Sequence, residues 1–211
     1  MVISYFGGEC FKVTQGDLTL AFNPPSKDSS LKASKFGADI ALVSLNHEDF
    51  NGVENAAFGE REPFVISGPG EYEVKGVAVR GFGSESNYGG KGINTIYSVS
   101  LEGINLCFLG ALSSAELPQT AKQELDDIDI LFLPIGPSTG SGQATDLLDY
   151  SGAYALAVKL EPKVIVPMHY TSETLKSFLK EAGEEVGPVE KLTVKKKDLE
   201  GKEGEIIVLQ A

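Results

Sequence analysis

The order of apolar patterns along the chain restricts the fold to one class. The first third alternates short apolar runs with turn residues, as in residues 2–6, 10–14 and 18–22, which predicts a β-meander. The second half contains buried strands that alternate with helices, and residues 128–135 and 163–168 are the clearest of these strands. A meander followed by β-α-β alternation predicts an α/β protein with two sheets or one large mixed sheet.

Two helices are predicted in the second half from apolar spacing. Residues 172–182 place apolar side chains at helical intervals, and Gly183 is positioned to cap the end of this helix. Residues 144–160 carry a weaker helical pattern. Because these segments follow buried strands, they suit the outer layer of an α/β fold.

Further strands are predicted between the two halves. Residues 72–82 read as one long strand. Residues 94–101 and 104–109 flank the dipeptide Glu102-Gly103, a combination typical of a β-hairpin.

No linker or internal repeat divides the 211 residues, so we expect a single domain over residues 1–211. The two cysteines, Cys10 and Cys107, do not make a disulfide scaffold. We expect both as small buried side chains within strands.

The charge of the chain argues against several kinds of partner. Lys and Arg number 18 and Asp and Glu number 30, which gives a net charge of −12. Such a surface repels phosphate backbones and anionic membranes, so we expect no nucleic-acid partner and no membrane partner. No apolar run approaches the roughly 18 residues that cross a bilayer, and the chain opens on a strand pattern without a signal peptide. We therefore expect a cytoplasmic location.

Both histidines of the chain follow predicted buried strands. His47 lies in the run LNHEDFNG directly after residues 38–45, and His169 comes directly after residues 163–168. Side chains at the carboxyl ends of buried strands are well placed to meet in a crevice, so we expect His47, Asp49 and His169 to converge. A histidine at a strand end is also commonly held by hydrogen bonds without any chemical role.

Six short motifs together indicate a family. They read GGECF at residues 7–11, LVS at 42–44, GPGEYEV at 68–74, NTIY at 94–97, LFLPIG at 131–136 and KVIVPMHY at 163–170. In their order and spacing they resemble the metallo-β-lactamase-fold hydrolases, specifically the short single-domain branch of predicted metal-dependent hydrolases and lactonases. The resemblance implies a four-layer αβ/βα sandwich, in which two mixed β-sheets lie face to face with helices outside.

The resemblance also implies a metal site, of which this chain retains a part. The family binds one or two metal ions through a His-x-His-x-Asp-His loop, a further His, a bridging Asp and a last His. His47 and Asp49 match the loop, and His169 matches the last histidine. In the family the further histidine comes shortly before a Gly-Gly turn, and counting back from Gly89-Gly90 places it near Glu85, within a residue or two. By this resemblance His47 belongs to the first ion, and Asp49 and His169 belong to the second.

Other ligand positions of the family have been replaced. Leu45 and Phe50 stand where the loop has its first and last histidines, and Ala111 stands where the bridging Asp belongs. Asn23 replaces an Asp that usually precedes an early proline. Hydrocarbon at these positions makes an ionic charge costlier. The replacements together predict a site that no longer holds two ions.

Two functions follow from this ligand count. The favoured hypothesis is a catalytically silent member of the fold. For such a protein we expect no cofactor, and its role would be structural or would be the binding of an unknown small molecule or protein. The alternative is a mononuclear hydrolase of a small ester, lactone or phosphoester. In that case one zinc ion would be held by His47, Asp49 and His169, and Glu85 is a candidate further ligand. The candidate catalytic residues are Asp49 and His169, and Asp49 or Glu85 would take a proton.

A third class is a metal-free enzyme that builds a new site in the same crevice. Tyr170, Ser138, Thr139 and Ser141 are the side chains available for it. The loop at residues 136–142 is rich in glycine and hydroxyl groups but lacks the lysine of a phosphate-binding loop, so a flexible connection is predicted.

Without a metal, the Asp49 carboxylate needs another partner, because an unpaired buried charge is expensive. The resemblance places Asp49 and His169 around the same ion, so we expect a direct or water-bridged hydrogen bond between them. Backbone amides of residues 50–52 are expected to supply the remaining hydrogen bonds, and apolar side chains, including Phe50, are expected to fill the former metal cavity.

Overall fold

The strands form two mixed sheets in a computed structural model that describes residues 1–136 and 146–211. The first sheet begins as the predicted meander, with antiparallel pairing, and continues with two parallel pairs. Its strands are β1 (Val2–Tyr5), β2 (Phe11–Gln15), β3 (Leu18–Phe22), β4 (Ile40–Leu42), β5 (Phe64–Ile66) and, beside β1, β12 (Leu192–Thr193).

The second sheet has the same mixed character. It starts as an antiparallel meander, and its later strands are parallel to one another. Its strands are β6 (Gly70–Val74), β7 (Val77–Ser86), β8 (Gly92–Leu101), β9 (Ile104–Phe108), β10 (Ile130–Pro134), β11 (Val164–Met168) and β13 (Glu205–Ile206).

A shared aromatic core joins the two sheets. Phe11 and Phe22 come from the first sheet, and Phe108 and Phe132 come from the second. The ring centroids of Phe11 and Phe132 are 4.7 Å apart, and those of Phe22 and Phe108 are 4.9 Å apart. All four side chains are fully buried, and each contributes roughly 2–3 kcal/mol by leaving water.

The outer layers differ between the two sheets. The helices α1 (Gln119–Glu124), α2 (Tyr150–Leu160) and α3 (Ser172–Ala182) pack on the outer face of the second sheet. The outer face of the first sheet is covered by loop residues such as Phe36 and by a 3-10 turn at Val53–Asn55. The predicted α/β sandwich with two mixed sheets is confirmed. Within residues 1–136 and 146–211, no helix combines the length and apolar character needed to span a bilayer.

The segment at residues 72–82 is a hairpin and not the single strand that was predicted. Lys75 and Gly76 have φ angles of 52° and 77°, so the chain reverses between β6 and β7. Two consecutive left-handed residues form the tight turn that best matches the twist of paired strands.

The helix predicted over residues 144–160 is shorter than expected. It begins at Tyr150, because the preceding residue Asp149 caps the helix and accepts a hydrogen bond from the amide of Gly152 at 2.8 Å. Residues 144 and 145 lie outside the described residues. An aspartate one residue before the first helical position is a recognised start signal.

Candidate functional site

The loop after β4 carries His47 and Asp49 to the carboxyl edge of the first sheet. Tight turns hold this loop, since the amide of Phe50 donates to the carbonyl of His47 at 2.9 Å. Gly52 lets the loop pass close to the chain at Pro25, because a Cβ at Gly52 would lie 2.3 Å from the Pro25 carbonyl. Packing therefore fixes the course of the loop and the positions of both site residues.

His169 follows β11 directly and lies at the carboxyl edge of the second sheet. Its backbone is left-handed, with a φ of 54°, a conformation that costs a side-chain-bearing residue roughly 1–2 kcal/mol. The amide of His169 donates to the carbonyl of Gly8 at 2.8 Å. This bond holds the histidine against the loop between β1 and β2.

An aromatic cluster, composed of His47, Phe50, Tyr88 and His169, occupies the shared edge of the two sheets. The Tyr88 ring centroid lies 5.0 Å from that of His47, 4.9 Å from that of Phe50 and 5.2 Å from that of His169. The rings of Phe50 and His169 are 6.1 Å apart. The prediction that the loop after β4 meets His169 is confirmed, and Tyr88 packs against the other three rings.

Hydroxyl groups hold the Asp49 carboxylate. The Tyr88 hydroxyl donates to Oδ2 of Asp49 at 2.6 Å, and the Ser29 hydroxyl donates to Oδ1. The amide of Asp49 donates to Nδ1 of His47 at 3.2 Å. Burial raises the pKa of the Tyr88 phenol, and the hydrogen bond to Asp49 raises it further, so Tyr88 remains a proton donor at neutral pH.

The direct hydrogen bond predicted between Asp49 and His169 is not formed. Tyr88 reaches Asp49 from the loop after β7 and takes the place expected for the histidine. Backbone amides of residues 50–52 do not supply the remaining bonds, since the amide of Gly52 donates to the carbonyl of Pro24 instead. His169 faces Glu9, with Nδ1 3.3 Å from Oε1.

The structure also corrects the expectation for Glu85. This residue lies on β7, where successive side chains point to opposite faces of the sheet. Glu85 is exposed and lines a surface groove with Pro69 and Ile93. Ser86 points inward instead, and its hydroxyl donates to the carbonyl of Ala111 at 2.6 Å. A count of residues back from a turn did not determine which face a side chain would take.

Apolar side chains fill the space around the former ligand positions. Leu45, Phe50, Ala111 and Leu147 form one buried cluster, and Tyr88 packs against it. Phe50 and Ala111 are fully buried. The predicted apolar filling is confirmed, and an ion placed among these side chains would lose its hydration without gaining ligands.

The residues at this edge do not fit a metal centre in their present arrangement. Within residues 1–136 and 146–211, no group of three or more His, Cys, Asp or Glu side chains could hold a metal ion. Both oxygens of Asp49 accept hydrogen bonds from hydroxyl groups, and the imidazole of His169 faces Glu9. Structural metal sites usually need four converging ligands.

The side chains proposed for a metal-free catalytic site are placed only in part. The Tyr170 hydroxyl donates to the carbonyl of Leu209 at 3.0 Å, which ties it to the C-terminal segment. Ser138, Thr139 and Ser141, with most of the loop at residues 136–142, lie outside the described residues. A site built from them stays a prediction.

Sequence reasoning missed two residues that define this edge, Glu9 and Tyr88. Glu9 stands inside the motif GGECF, where an acidic residue beside a buried cysteine was a usable signal. Tyr88 precedes Gly89-Gly90, the turn used to locate Glu85, and an aromatic residue beside a tight turn carries no comparable signal.

Comparison with known families agrees with this architecture. The family model of the beta-lactamase superfamily domain matches residues 2–169. This chain belongs to the beta-lactamase superfamily. Proteins named UPF0173 metal-dependent hydrolases, from Listeria innocua and Listeria monocytogenes, are 26% identical to it across 82% of this chain and 86% of their own length.

Solved structures show the same fold. The crystal structure of a proposed zinc-dependent hydrolase of the metallo-beta-lactamase superfamily from Thermotoga maritima aligns with a TM-score of 0.74 and 27% identity, covering 99% of this chain and 97% of that one. A proposed metal-dependent hydrolase from Parabacteroides distasonis aligns with a TM-score of 0.66 and 17% identity over 99% and 93% of the two chains. This beta-lactamase superfamily member therefore shares its fold with relatives that are named as metal-dependent hydrolases.

Proposed function

We propose that this beta-lactamase superfamily member is catalytically degenerate, holds no binuclear metal centre, and acts by binding a small molecule or a protein. The observation that supports this proposal is the Tyr88 side chain. Its hydroxyl donates to Asp49 at 2.6 Å, and its ring packs against His47 and His169. Residues that the family uses as metal ligands are here the partners of a tyrosine.

Loading an ion at these residues would require Tyr88 to leave. Its departure would break a hydrogen bond to a carboxylate, an interaction that contributes about 1.5–3 kcal/mol. The ion would gain at most His47, Asp49 and His169, which the family assigns to two different ions. Ala111 offers no bridging carboxylate to join them. An ion would therefore have to offset the loss of the Tyr88 hydrogen bond with an incomplete ligand set drawn from two centres.

A mononuclear metal-dependent hydrolase of a small ester, lactone or phosphoester is the second candidate. The names of the Listeria relatives favour it. In that case His47, Asp49 and His169 would have to converge on one ion, such as zinc, after Tyr88 had moved away. Glu85 would take no part, since its side chain is exposed in a groove beside Ile93.

The metal content of the protein tests the proposal. The protein is purified without chelators and without metal-affinity resin, and zinc, manganese and iron are measured by mass spectrometry. We expect far less than one ion per chain, and no change in melting temperature on addition of zinc, because a ligand stabilises only a state that it binds. About one ion per chain, with a zinc-dependent rise in melting temperature that Asp49→Ala abolishes, would support the mononuclear hydrolase instead.

A further inference from the structure

The strongest unexplained feature of the molecule is a buried pair of polar atoms, Oε1 of Glu9 and Nδ1 of His169. The Glu9 side chain is 0% exposed, and the two atoms lie 3.3 Å apart. Among the described residues, neither atom has a well-aligned hydrogen bond to any partner. Buried polar atoms are rarely left without a partner, so the two atoms are each other's natural partners.

The orientation of the neighbouring Asn23 amide determines the role of Oε2 of Glu9. Oδ1 of Asn23 accepts the backbone amide of Ser44 at 2.8 Å, and a backbone amide can only donate. The NH₂ group of Asn23 must therefore point the other way. It donates to Oε2 of Glu9 at 2.9 Å and to the Ser44 hydroxyl at 2.7 Å.

As a carboxylate, Glu9 then accepts at both of its oxygens. Oε2 accepts from Asn23, and Oε1 is left to accept from His169. An ionised carboxylate has no proton to give, so the proton between Glu9 and His169 must come from Nδ1. A neutral imidazole held in this way has its other nitrogen, Nε2, without a proton.

We propose that Glu9 is a positioning residue that fixes His169 as the tautomer with its proton on Nδ1 and a bare Nε2. The backbone of His169 is anchored to the same loop, through its hydrogen bond to Gly8. Ring and backbone are thus both held from one side, and no metal is needed to orient the imidazole. Carboxylates hold histidines in the same way in catalytic triads and behind metal ligands.

The bare Nε2 gives the candidate site a hydrogen-bond acceptor. The His169 side chain remains 20% exposed at the sheet edge, so a ligand with an O–H or N–H donor can approach it. This acceptor role rests on the proposed metal-free site, because a metal ion would take the lone pair of Nε2. The position of the proton on Nδ1 does not depend on that proposal.

His47 provides an internal reference for the test. Its Nδ1 accepts the amide of Asp49 at 3.2 Å. Oδ2 of Asp49 lies farther from Nδ1, at 3.5 Å, and already accepts from Tyr88, so the neutral His47 ring carries its proton on Nε2. The chain has only these two histidines. Its imidazole spectrum therefore contains two residues that are expected to be opposite tautomers.

The experiment is a long-range ¹H–¹⁵N NMR spectrum of the histidine rings, recorded at about pH 8.5, where histidine is ordinarily neutral. In the wild type we expect a proton on Nδ1 and none on Nε2 of His169, and the reverse for His47. A proton on Nε2 of His169 in the wild type overturns the proposal, whatever the variants show.

The variant Glu9→Gln has nearly the same shape and is expected to invert the tautomer. Asn23 still presents an NH₂ group, so the Gln oxygen must face Asn23 and its own NH₂ group must face Nδ1 of His169. Nδ1 then has to accept, and the proton moves to Nε2. An unchanged His169 tautomer in the folded variant shows that Glu9 does not fix it and overturns the proposal.

The matched control is Glu71→Gln, the same chemical change at a side chain that is 82% exposed. It should leave both histidine tautomers as they are. If Glu9→Gln does not fold, the wild-type spectrum alone decides. Failure here is distinct from failure of the proposed function, since the latter is read from metal content.

Discussion

The Tyr88 hydroxyl lies 2.6 Å from Oδ2 of Asp49, so a neutral phenol stands against the carboxylate that the family resemblance assigns to a metal ion. The Ser29 hydroxyl takes the other carboxylate oxygen. Two neutral donors cannot balance the negative charge of Asp49 as an ion would, but they satisfy its hydrogen-bonding capacity. This pairing explains how an inherited acidic residue is retained among Leu45 and Phe50.

Tyr88→Phe should destabilise the protein by about 1–3 kcal/mol, because it leaves a buried oxygen of Asp49 without its donor. Urea denaturation at neutral pH measures this change. Tyr72→Phe is the control, since the Tyr72 hydroxyl donates to the carbonyl of Gly68 at a partly exposed position and its loss should cost much less. Equal losses in the two variants would contradict the role given to Tyr88.

Gly110→Ala should destabilise the fold more than an ordinary glycine replacement. Gly110 has a φ of 59°, and a Cβ there would lie 2.5 Å from Oδ1 of Asn94 and 2.6 Å from the side chain of Ser44. Overpacking of this kind typically costs about 1–3 kcal/mol, in addition to roughly 1–2 kcal/mol for the left-handed backbone conformation. Unfolding free energies from denaturant titration give the measurement.

Gly103→Ala separates the two causes. Gly103 has a φ of 76°, and nothing lies within 4 Å of the position of an added Cβ. We expect only the cost of the left-handed backbone there, roughly 1–2 kcal/mol. A loss at Gly103 as large as that at Gly110 would show that crowding against Asn94 is unimportant.

Asp129→Asn should weaken the protein at neutral pH and much less in acid. Burial opposes ionisation of Asp129, but hydrogen bonds from Lys163 at 2.7 Å and Lys196 at 2.6 Å outweigh it, and its pKa is lowered. Because the folded pKa lies below that of the unfolded chain, the contribution is complete above about pH 4 and disappears as the pH falls through the folded pKa.

Urea denaturation of wild type and Asp129→Asn at about pH 7, 5 and 3 tests this sign. The difference in unfolding free energy should be largest at the two higher values and should shrink at the lowest. Glu116→Gln is the control, because the Glu116–Lys122 pair lies on the surface and its loss should not be measurable. A difference that grows in acid would contradict the prediction.

The thiols of Cys10 and Cys107 should be unreactive in the folded protein. Cys10 and Cys107 are each 1% exposed, as expected from the sequence, and burial raises the pKa of each thiol to about 12. The thiolate is the reactive form, so reaction with a disulfide reagent such as DTNB should be slow until denaturant is added. Cys107 lies within β9 as predicted, whereas Cys10 lies directly before β2 and not within a strand. Prompt reaction of either thiol in native buffer would show that the structure around it opens locally.

The parts of the fold that depend on local sequence could be predicted. The helix α3 begins and ends where its pattern indicated, since Thr171 caps its start and Gly183, with a φ of 74°, ends it. The hairpin at Glu102-Gly103 is also confirmed, with φ angles of 53° and 76°. These signals involve neighbouring residues and need no knowledge of the remaining structure.

A nearly identical turn at Lys75-Gly76 was not predicted, although its φ angles of 52° and 77° match those of the confirmed hairpin. The apolar alternation of residues 72–82 continues through this turn, so the pattern predicts one strand where the structure has two. The contacts of Tyr88 and Glu9 in the site were not predicted for a different reason. Tyr88 and Asp49 are 39 positions apart, and Glu9 and His169 are 160 positions apart. Only the packing of two sheets brings such pairs together.

The row of polar side chains formed by Ser44, Asn23, Glu9 and His169 has a mechanical consequence. Its first three members belong to connections of the first sheet, and the last follows a strand of the second. The row therefore links the two sheets at the edge where they meet. The sheets cannot separate there without exposing the buried carboxylate of Glu9. Amide protons of Ser44 and His169 should accordingly exchange with solvent only when the whole molecule unfolds, which would make this edge one of its most rigid regions.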